Sequence, residues 1–253
     1  MVAPPTTDSL NHVEFFRISQ SMKKSAVEHA RDLLWLDDLD GASRVAEDEI
    51  CRFGDKGNTA EIWQFRFIRS EIIRLRGHTE EALRYLESQE SVNLPDTSDI
   101  DSLARLWMHR GYCYGLLGRH ELSLRLLAAA EETARDSGLF ELLCEVHQRQ
   151  AMILFRQQDY GASDRIFRII LKLSDEMEGW YFQGNARWGI GKNLMIQRHY
   201  REAMPWLKDS LKIFEDVNAR LSVATVWGEL AVCYLGLGDD EKALELFQKA
   251  AER

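Results

Sequence analysis

The sequence predicts an all-α, right-handed solenoid of six helix-turn-helix units, and three periodic observations carry that prediction. Small residues fall at Ala42, Ala82, Ser123, Ser163, Ala203 and Ala243, spaced 40, 41, 40, 40 and 40 residues apart. Twelve residues before each lies a second small residue: Ala30, Ser70, Gly111, Ala151, Gly191 and Ala231. Nine residues before each lies an apolar one: Leu33, Ile73, Tyr114, Leu154, Leu194 and Tyr234. A fixed period of this size marks a stack of one supersecondary unit, whose apolar face is buried only against its neighbours.

The elements follow in order. Residues 1–21 are expected to be an N-terminal tail, with a partial capping helix over 9–20 that has Phe15 and Phe16 as its apolar face. Residues 22–253 are expected to form one solenoid. Each period reads as a helix A, a turn and a helix B. The turns are LDDLDG at 36–41, RGHTEE at 76–81, LGRHE at 117–121, RQQDY at 156–160, QRHY at 197–200 and LGDDE at 237–241. Gly77, Gly118 and Gly238 suit the left-handed conformation that closes a helix. Acidic residues just after the turns suit the positive N-terminus of helix B. Within the B helices apolar residues recur at helical spacing, as in Ile166, Phe167, Ile169 and Ile170. The small residues let helix axes approach to about 8–10 Å, so a large side chain at Ala203 or Gly191 should overpack the crossing. The polar stretch 87–102 reads as a surface connector that absorbs the extra residue of the 41 spacing, with Pro95 ending the helix or lying just past it. Pro205 is expected to kink the fifth helix B or to move its start downstream.

Composition narrows the function classes. The chain has 253 residues, 41 acidic and 32 basic, and a net charge of −9. That balance disfavours nonspecific binding to nucleic acid or to an anionic membrane. Cys51, Cys113, Cys144 and Cys233 are widely spaced with no CxxC pair, and read as small core residues in a reducing compartment. MVAPPTTDSL lacks the basic and apolar regions of a secretory signal, and no apolar run approaches a membrane span. A cytoplasmic protein is expected.

With the register fixed, the last period, Trp227, Leu230, Ala231, Tyr234, Gly238, Ala243, Phe247 and Ala250, resembles the tetratricopeptide repeat (TPR). The third period fits as well, through Trp107, Gly111, Tyr114, Gly118, Ser123, Leu127 and Ala130. The others keep the small and apolar sites but carry Ala26, Arg66, His147 and Arg187 at the aromatic start. Arg69, Arg110 and Gln150 stand where the pattern prefers Leu. The resemblance covers residues 22–253, and the 40-residue period, against 34 in the commonest form, implies helices longer by nearly a turn. The run from LRGHTEEALRYLES to DDEKALELFQKAAER is similar to the N-terminal arrays of bacterial proteins with a caspase-like CHAT protease domain. With no polar helix after the last repeat, the chain reads as a fragment of a longer protein or as an end that pairs with a partner.

An array of this type lines its concave face with A helices, at 18, 15, 14 and 11 residues before each anchor. In the three central repeats these positions are Arg105, Met108, His109 and Tyr112; Glu145, Gln148, Arg149 and Met152; and Asn185, Trp188, Gly189 and Lys192. The outer repeats place Lys24, Val27, Glu28 and Arg31, then Gln64, Phe67, Ile68 and Glu71, and finally Thr225, Gly228, Glu229 and Val232 on the same face. The candidate ligand groove is Arg105, Met108, His109, Tyr112, Gln148, Arg149, Met152, Asn185, Trp188 and Lys192. Arg and Lys would hold a carboxylate, Trp and Tyr would supply anchor area, and Asn185 and Gln148 would bond a peptide backbone. The resemblance implies the same use, because groove cations and amides of related arrays clamp peptide tails. The competing reading puts Trp188 and Tyr112 in the core and the cations on nearby acids.

Other chemistries fail on spacing. His120-Glu121 is followed by Leu124 where a zinc site needs a second His, and GNARWGIGKN has Ala186 where a phosphate loop needs glycine. Asp37, Asp38 and Asp40 lack the downstream Glu of a calcium loop. No catalytic arrangement, metal or cofactor is expected. The sequence therefore reads as a non-catalytic peptide- or protein-binding module, the sensor or scaffold region of a larger signalling or caspase-like protease protein. Its expected partner is a peptide or protein that is acidic or ends in a free carboxylate. The alternative is an assembly element that docks through its uncapped C-terminal end.

Overall fold

The computed structural model describes residues 25–53, 60–92, 94–177 and 179–252. The expected tail and capping helix over 1–21 lie outside them. Twelve helices are present among the described residues. They are α1 (Ala26–Trp35), α2 (Leu39–Phe53), α3 (Ala60–Leu75), α4 (Thr79–Val92), α5 (Ile100–Leu116), α6 (His120–Asp136), α7 (Phe140–Arg156), α8 (Tyr160–Met177), α9 (Trp180–Ile196), α10 (Tyr200–Asp216), α11 (Arg220–Gly236) and α12 (Asp240–Ala251). Odd-numbered helices are the A helices and even-numbered ones the B helices of six consecutive pairs. Each A helix packs on its own B helix and on the next A helix, so the architecture is the all-α solenoid that the period predicts.

Each of the three periodic positions has one structural job. All twelve small residues are buried, at the crossings where an A helix lies against a B helix. A Cβ added to Gly191 would stand 2.7 Å from Leu207 Cγ and 3.2 Å from the Leu207 backbone nitrogen. The apolar position nine before the anchor closes the turn, because its carbonyl accepts the long bond of a Schellman ending. Leu33, Ile73, Tyr114, Leu154, Leu194 and Tyr234 accept from Asp38, His78, Arg119, Asp159, His199 and Asp239 at 2.8–3.2 Å. The residue before each of those donors has positive φ: Asp37, Gly77, Gly118, Gln158, Arg198 and Gly238. Glycine fills three of these six positions, as the turns predict; the other three hold side chains in the left-handed region.

Two expectations change. Helix α4 runs to Val92, so part of the polar stretch 87–102 is helical; Pro95 lies just past the helix, in the loop before α5. Helix α10 starts at Tyr200 and continues through Pro205, so the proline does not move the start downstream. Its ring falls in the second turn, so the helix there forgoes the one i→i−4 bond that another residue at 205 would donate to the Arg201 carbonyl. Three of the four cysteines are core residues, and burial pushes the Cys113 and Cys144 thiols up to about 12; Cys51 is exposed. No described helix is long and apolar enough to cross a membrane.

Candidate functional site

The concave faces of the A helices do not line an open trough. The chain curls until the first repeat meets the fourth to sixth. Arg31 Nη1 donates to Glu141 Oε1 at 2.6 Å across 110 residues of sequence. The Trp35 ring stacks on Tyr181 with centroids 4.7 Å apart and planes 11° from parallel, and meets Trp180 and Phe182 edge-on. The Asp37 carboxylate accepts from the Ser222 backbone N–H and hydroxyl, each at 2.9 Å. Ser222 is the third residue of α11, whose own N-cap, Ala219, supplies no side-chain bond. Asp37 therefore caps α11 from the far side of the ring.

This closure encloses a cavity of about 300 Å³, lined by residues of all six A helices and by Asp37 in the first turn. Its polar floor is a set of ion pairs between repeats. Glu71 accepts from Arg74 Nε at 2.9 Å and Nη2 at 2.6 Å, and from Arg149 Nη2 at 2.7 Å, 78 residues away. Both guanidiniums lie over the Tyr112 ring, 5.0 and 4.8 Å from its centre. Arg105 bonds Asp101 through Nε and Glu145 through Nη1 at 2.7 Å. Burial alone would raise the Glu71 carboxyl, but Arg149 and Arg74 outweigh it and hold the group far below the ordinary carboxylate range. The His109 ring stacks on Phe67 at 5.2 Å. Burial lowers the His109 imidazole to about 4, against the opposing pull of Glu71, so it is neutral at pH 7. Tyr181 is pushed up to about 12, chiefly by burial, with Gln148 bonded to its hydroxyl.

The register places most candidate residues on this cavity. Arg105, His109, Tyr112, Gln148, Arg149, Met152, Asn185 and Trp188 line it, with Glu145 and, from the outer repeats, Arg31, Gln64, Phe67, Ile68 and Glu71. Met108 does not: it is fully buried among α5, α6 and α7, on the core side of its helix. Lys192 does not either; its ammonium lies 4.4 Å from the Trp188 ring centre and 3.3 Å from Glu229. Gly189 is a packing residue, since an added Cβ would stand 2.3 Å from the Phe167 ring. The expected basic groove is also corrected in its charge. Arg105, Arg149 and Lys192 are each matched by an acid of a neighbouring or distant repeat, so the cations are not free. Trp35, Asp37, Tyr181 and Ser222 lie outside the expected groove positions and meet at the cavity because the ring closes, and Arg74 joins it through Glu71 on its own helix. No group of three or more His, Cys, Asp or Glu that could hold a metal ion occurs among the described residues.

Comparison with known proteins gives the same fold. Residues 182–253 match the tetratricopeptide repeat family. No curated protein sequence matches the chain. The structure is similar to that of a Rap protein complexed with competence and sporulation factor, with a TM-score of 0.70 at 15% identity over 95% of this chain and 69% of that one. It is similar to NprR in complex with its cognate peptide NprX, with a TM-score of 0.65 at 16% identity over 94% and 71%. It is also similar to BtubC from P. vanneervenii, with a TM-score of 0.62 at 13% identity over 90% and 91%. These comparisons carry the repeat resemblance and do not carry the narrower one to CHAT-protein arrays. The chain is thus a tetratricopeptide-like helical repeat array, with the repeat itself matched over residues 182–253.

Proposed function

We propose that the chain is a non-catalytic peptide- or protein-binding module whose ligand occupies the chamber enclosed by the A helices. One observation carries this reading: all six A helices converge on a single concave cavity of polar and aromatic groups. Its volume is at the lower end of the ~300–1,000 Å³ usual for ligand sites, which suits one short peptide segment or a few side chains. Of the similar structures, NprR holds its cognate peptide and the Rap protein holds competence and sporulation factor, which supports a ligand of this class. Gln64, Gln148 and Asn185 supply amide groups for a peptide backbone, and Trp35, Tyr181 and Trp188 supply anchor area. A ligand carboxylate would compete with Glu71 for Arg149 and with Glu145 for Arg105, so acidic ligands bind by exchanging ion-pair partners. In the cytoplasm, as the sensor or scaffold region of a larger signalling protein, the array would transmit occupancy through the closure that the ligand loosens or tightens.

Trp35 and Trp188 in the cavity wall supply the readout. A panel of pentapeptides with acidic or neutral side chains, each with a free or amidated C-terminus, is titrated against intrinsic fluorescence. Saturable change with acidic or free-carboxylate members, lost in Arg149→Ala, supports the reading. No saturable response to any member, or one unchanged in Arg149→Ala, overturns it.

A second reading is self-assembly through α12. Phe247 is 41% exposed, whereas Leu207, Phe167, Leu127, Leu86 and Ala46, at the same register in the earlier repeats, are at most 2% exposed. Light scattering of Phe247→Asp tests it: a mass equal to that of the unsubstituted protein counts against this reading.

A further inference from the structure

The A helices carry a second polar seam, on the face turned away from the chamber and toward the preceding B helix. In the third repeat Arg110, thirteen residues before Ser123, pairs with Glu90, which stands eight residues after Ala82 on α4. In the fourth repeat Gln150, thirteen residues before Ser163, donates to Glu131 at 2.7 Å. His147, sixteen before the same anchor, lies 3.4 Å from that carboxylate, and Glu131 stands eight residues after Ser123 on α6. The same register thus supplies a donor from the A helix and an acid from the B helix in two successive seams, and in the first of them Glu87, five residues after Ala82, is a second acid 4.0 Å from Arg110.

The seam between α2 and α3 has the donors without the acid. Arg69 and Arg66 stand thirteen and sixteen residues before Ala82, and the position eight after Ala42 is Ile50. Glu47 takes the register of Glu87, but it is exposed and accepts from Ser43, and neither arginine has an ion pair among the described residues. Arg66 is 6% exposed, and its Nε and Nη1 are buried with no hydrogen-bond partner. Its guanidinium lies 4.8 Å over the Trp63 ring; that of Arg69 lies 5.1 Å over Tyr85 and bonds its hydroxyl, a neutral acceptor in place of an acid. Arg69 and Tyr85 are half-buried, so the seam reaches solvent beside them. Buried polar atoms without partners are rare in native proteins, and an uncompensated buried guanidinium is costly.

We propose that the α2–α3 seam is a binding site for an external carboxylate, held by Arg66 and Arg69 where Glu90 and Glu131 stand in the next two seams. The register favours a carboxylate over a bulkier oxyanion, because the neighbouring seams hold one glutamate side chain in that place. The site is independent of the chamber: the cavity takes Gln64, Phe67, Ile68, Glu71, Arg74 and Leu75 from α3, and neither Arg66 nor Arg69.

The test is thermal unfolding of the full chain in glutarate against chloride at matched ionic strength. Glutarate raises the melting temperature of the unsubstituted protein saturably, as a ligand of the native state must. Ile50→Glu supplies the missing acid from within the chain; it melts higher in chloride and gains nothing from glutarate. Should Ile50→Glu fail to fold, Arg66→Met removes the buried charge at similar length. It melts higher than the unsubstituted protein in chloride and loses the glutarate response. No glutarate shift in the unsubstituted protein, or an equal shift in Arg66→Met, overturns the proposal.

Discussion

The crossings inside each repeat and the contacts across the ring are built on opposite plans. Inside a repeat, one small residue on each helix recurs six times, and the same turn bond recurs with it. Across the ring, every contact is made once: Arg31 with Glu141, Trp35 with Tyr181, Asp37 with Ser222, Glu71 with Arg149. The first plan uses dispersion and close approach, which lose little if one copy is imperfect. The second uses buried charge, where removing one partner strands the other. The solenoid is therefore specified redundantly, and its curvature by a few single-copy residues.

The largest effect should come from breaking the ring at its most buried acid. Glu71→Ala leaves Arg74 and Arg149 facing each other over Tyr112 without a counter-charge. Loss of one partner of a buried pair costs about 3–5 kcal/mol. If curvature and repeat are separable, helicity by circular dichroism persists under native conditions while the radius of gyration by small-angle scattering increases. A lower denaturation midpoint with an unchanged radius would show that the repeats set the curvature by themselves.

Acid probes the same floor without a substitution. His109 is held at about 4 in the fold, against an ordinary value of about 6.5 in the unfolded chain. The unfolded state therefore takes up the proton first as pH falls. Stability is full above about pH 6.5 and declines between there and about pH 4, by at most on the order of 3 kcal/mol from this group. Arg105 and Arg149 stay charged throughout that interval; Glu71 and Glu145, both held low, add to the decline only at its acid end, where the unfolded carboxyls take up protons, and Glu141, raised by burial, opposes it. Denaturation midpoints of His109→Gln should be flatter with pH over that interval than those of the unsubstituted protein. An identical slope would assign the decline to other groups.

A substitution at a crossing should cost less and act differently. Gly191→Val drives a side chain into Leu207 and its backbone, and overpacking of this kind costs about 1–3 kcal/mol. The ring contacts of the first and second repeats are untouched, so the loss should appear in the fifth repeat. Hydrogen exchange should quicken in α9 and α10 and stay unchanged in α3 and α4. Uniform loss of protection would mean that the array unfolds as one unit.

These two plans also explain what could be read in advance. The helix pairs, the small-residue crossings and the concave register were legible because each is written six times, and repetition separates pattern from chance. The register placed Arg105, His109, Tyr112, Gln148, Arg149, Met152, Asn185 and Trp188 on the cavity. It failed at Met108, which belongs to the core cluster with Leu127, Leu142 and Val146, and at Lys192, which turns to Glu229 and the Trp188 ring. The closure was not legible. Asp37 reads locally as an acidic turn residue, and nothing within 180 residues of it indicates Ser222. Charge pairing hid the floor in the same way: Arg149 and Glu71 each look like a solvated groove residue until the ring brings them together.

The smallest effect tests the turns, where the repeat tolerates variation. The left-handed turn residue is glycine at Gly77, Gly118 and Gly238, but Gln158 and Arg198 hold φ near 65° and 63°. A side chain in this region costs about 1–2 kcal/mol, and glycine gives back roughly 0.5–1 kcal/mol through its freer unfolded state. Gln158→Gly should therefore stabilise by up to about 1 kcal/mol, and Gly118→Ala should destabilise by a similar amount, both read from denaturation midpoints. Both turns make the same bonds, from Asp159 to Leu154 and from Arg119 to Tyr114, at 3.0 and 2.8 Å, so the sign depends on backbone conformation alone. Should Gln158→Gly lower stability instead, the Gln158 side chain would be contributing to the fourth repeat in a way its neighbours' turns do not require. The six turns would then no longer be equivalent copies, and the redundancy that distinguishes the crossings from the ring would not extend to them.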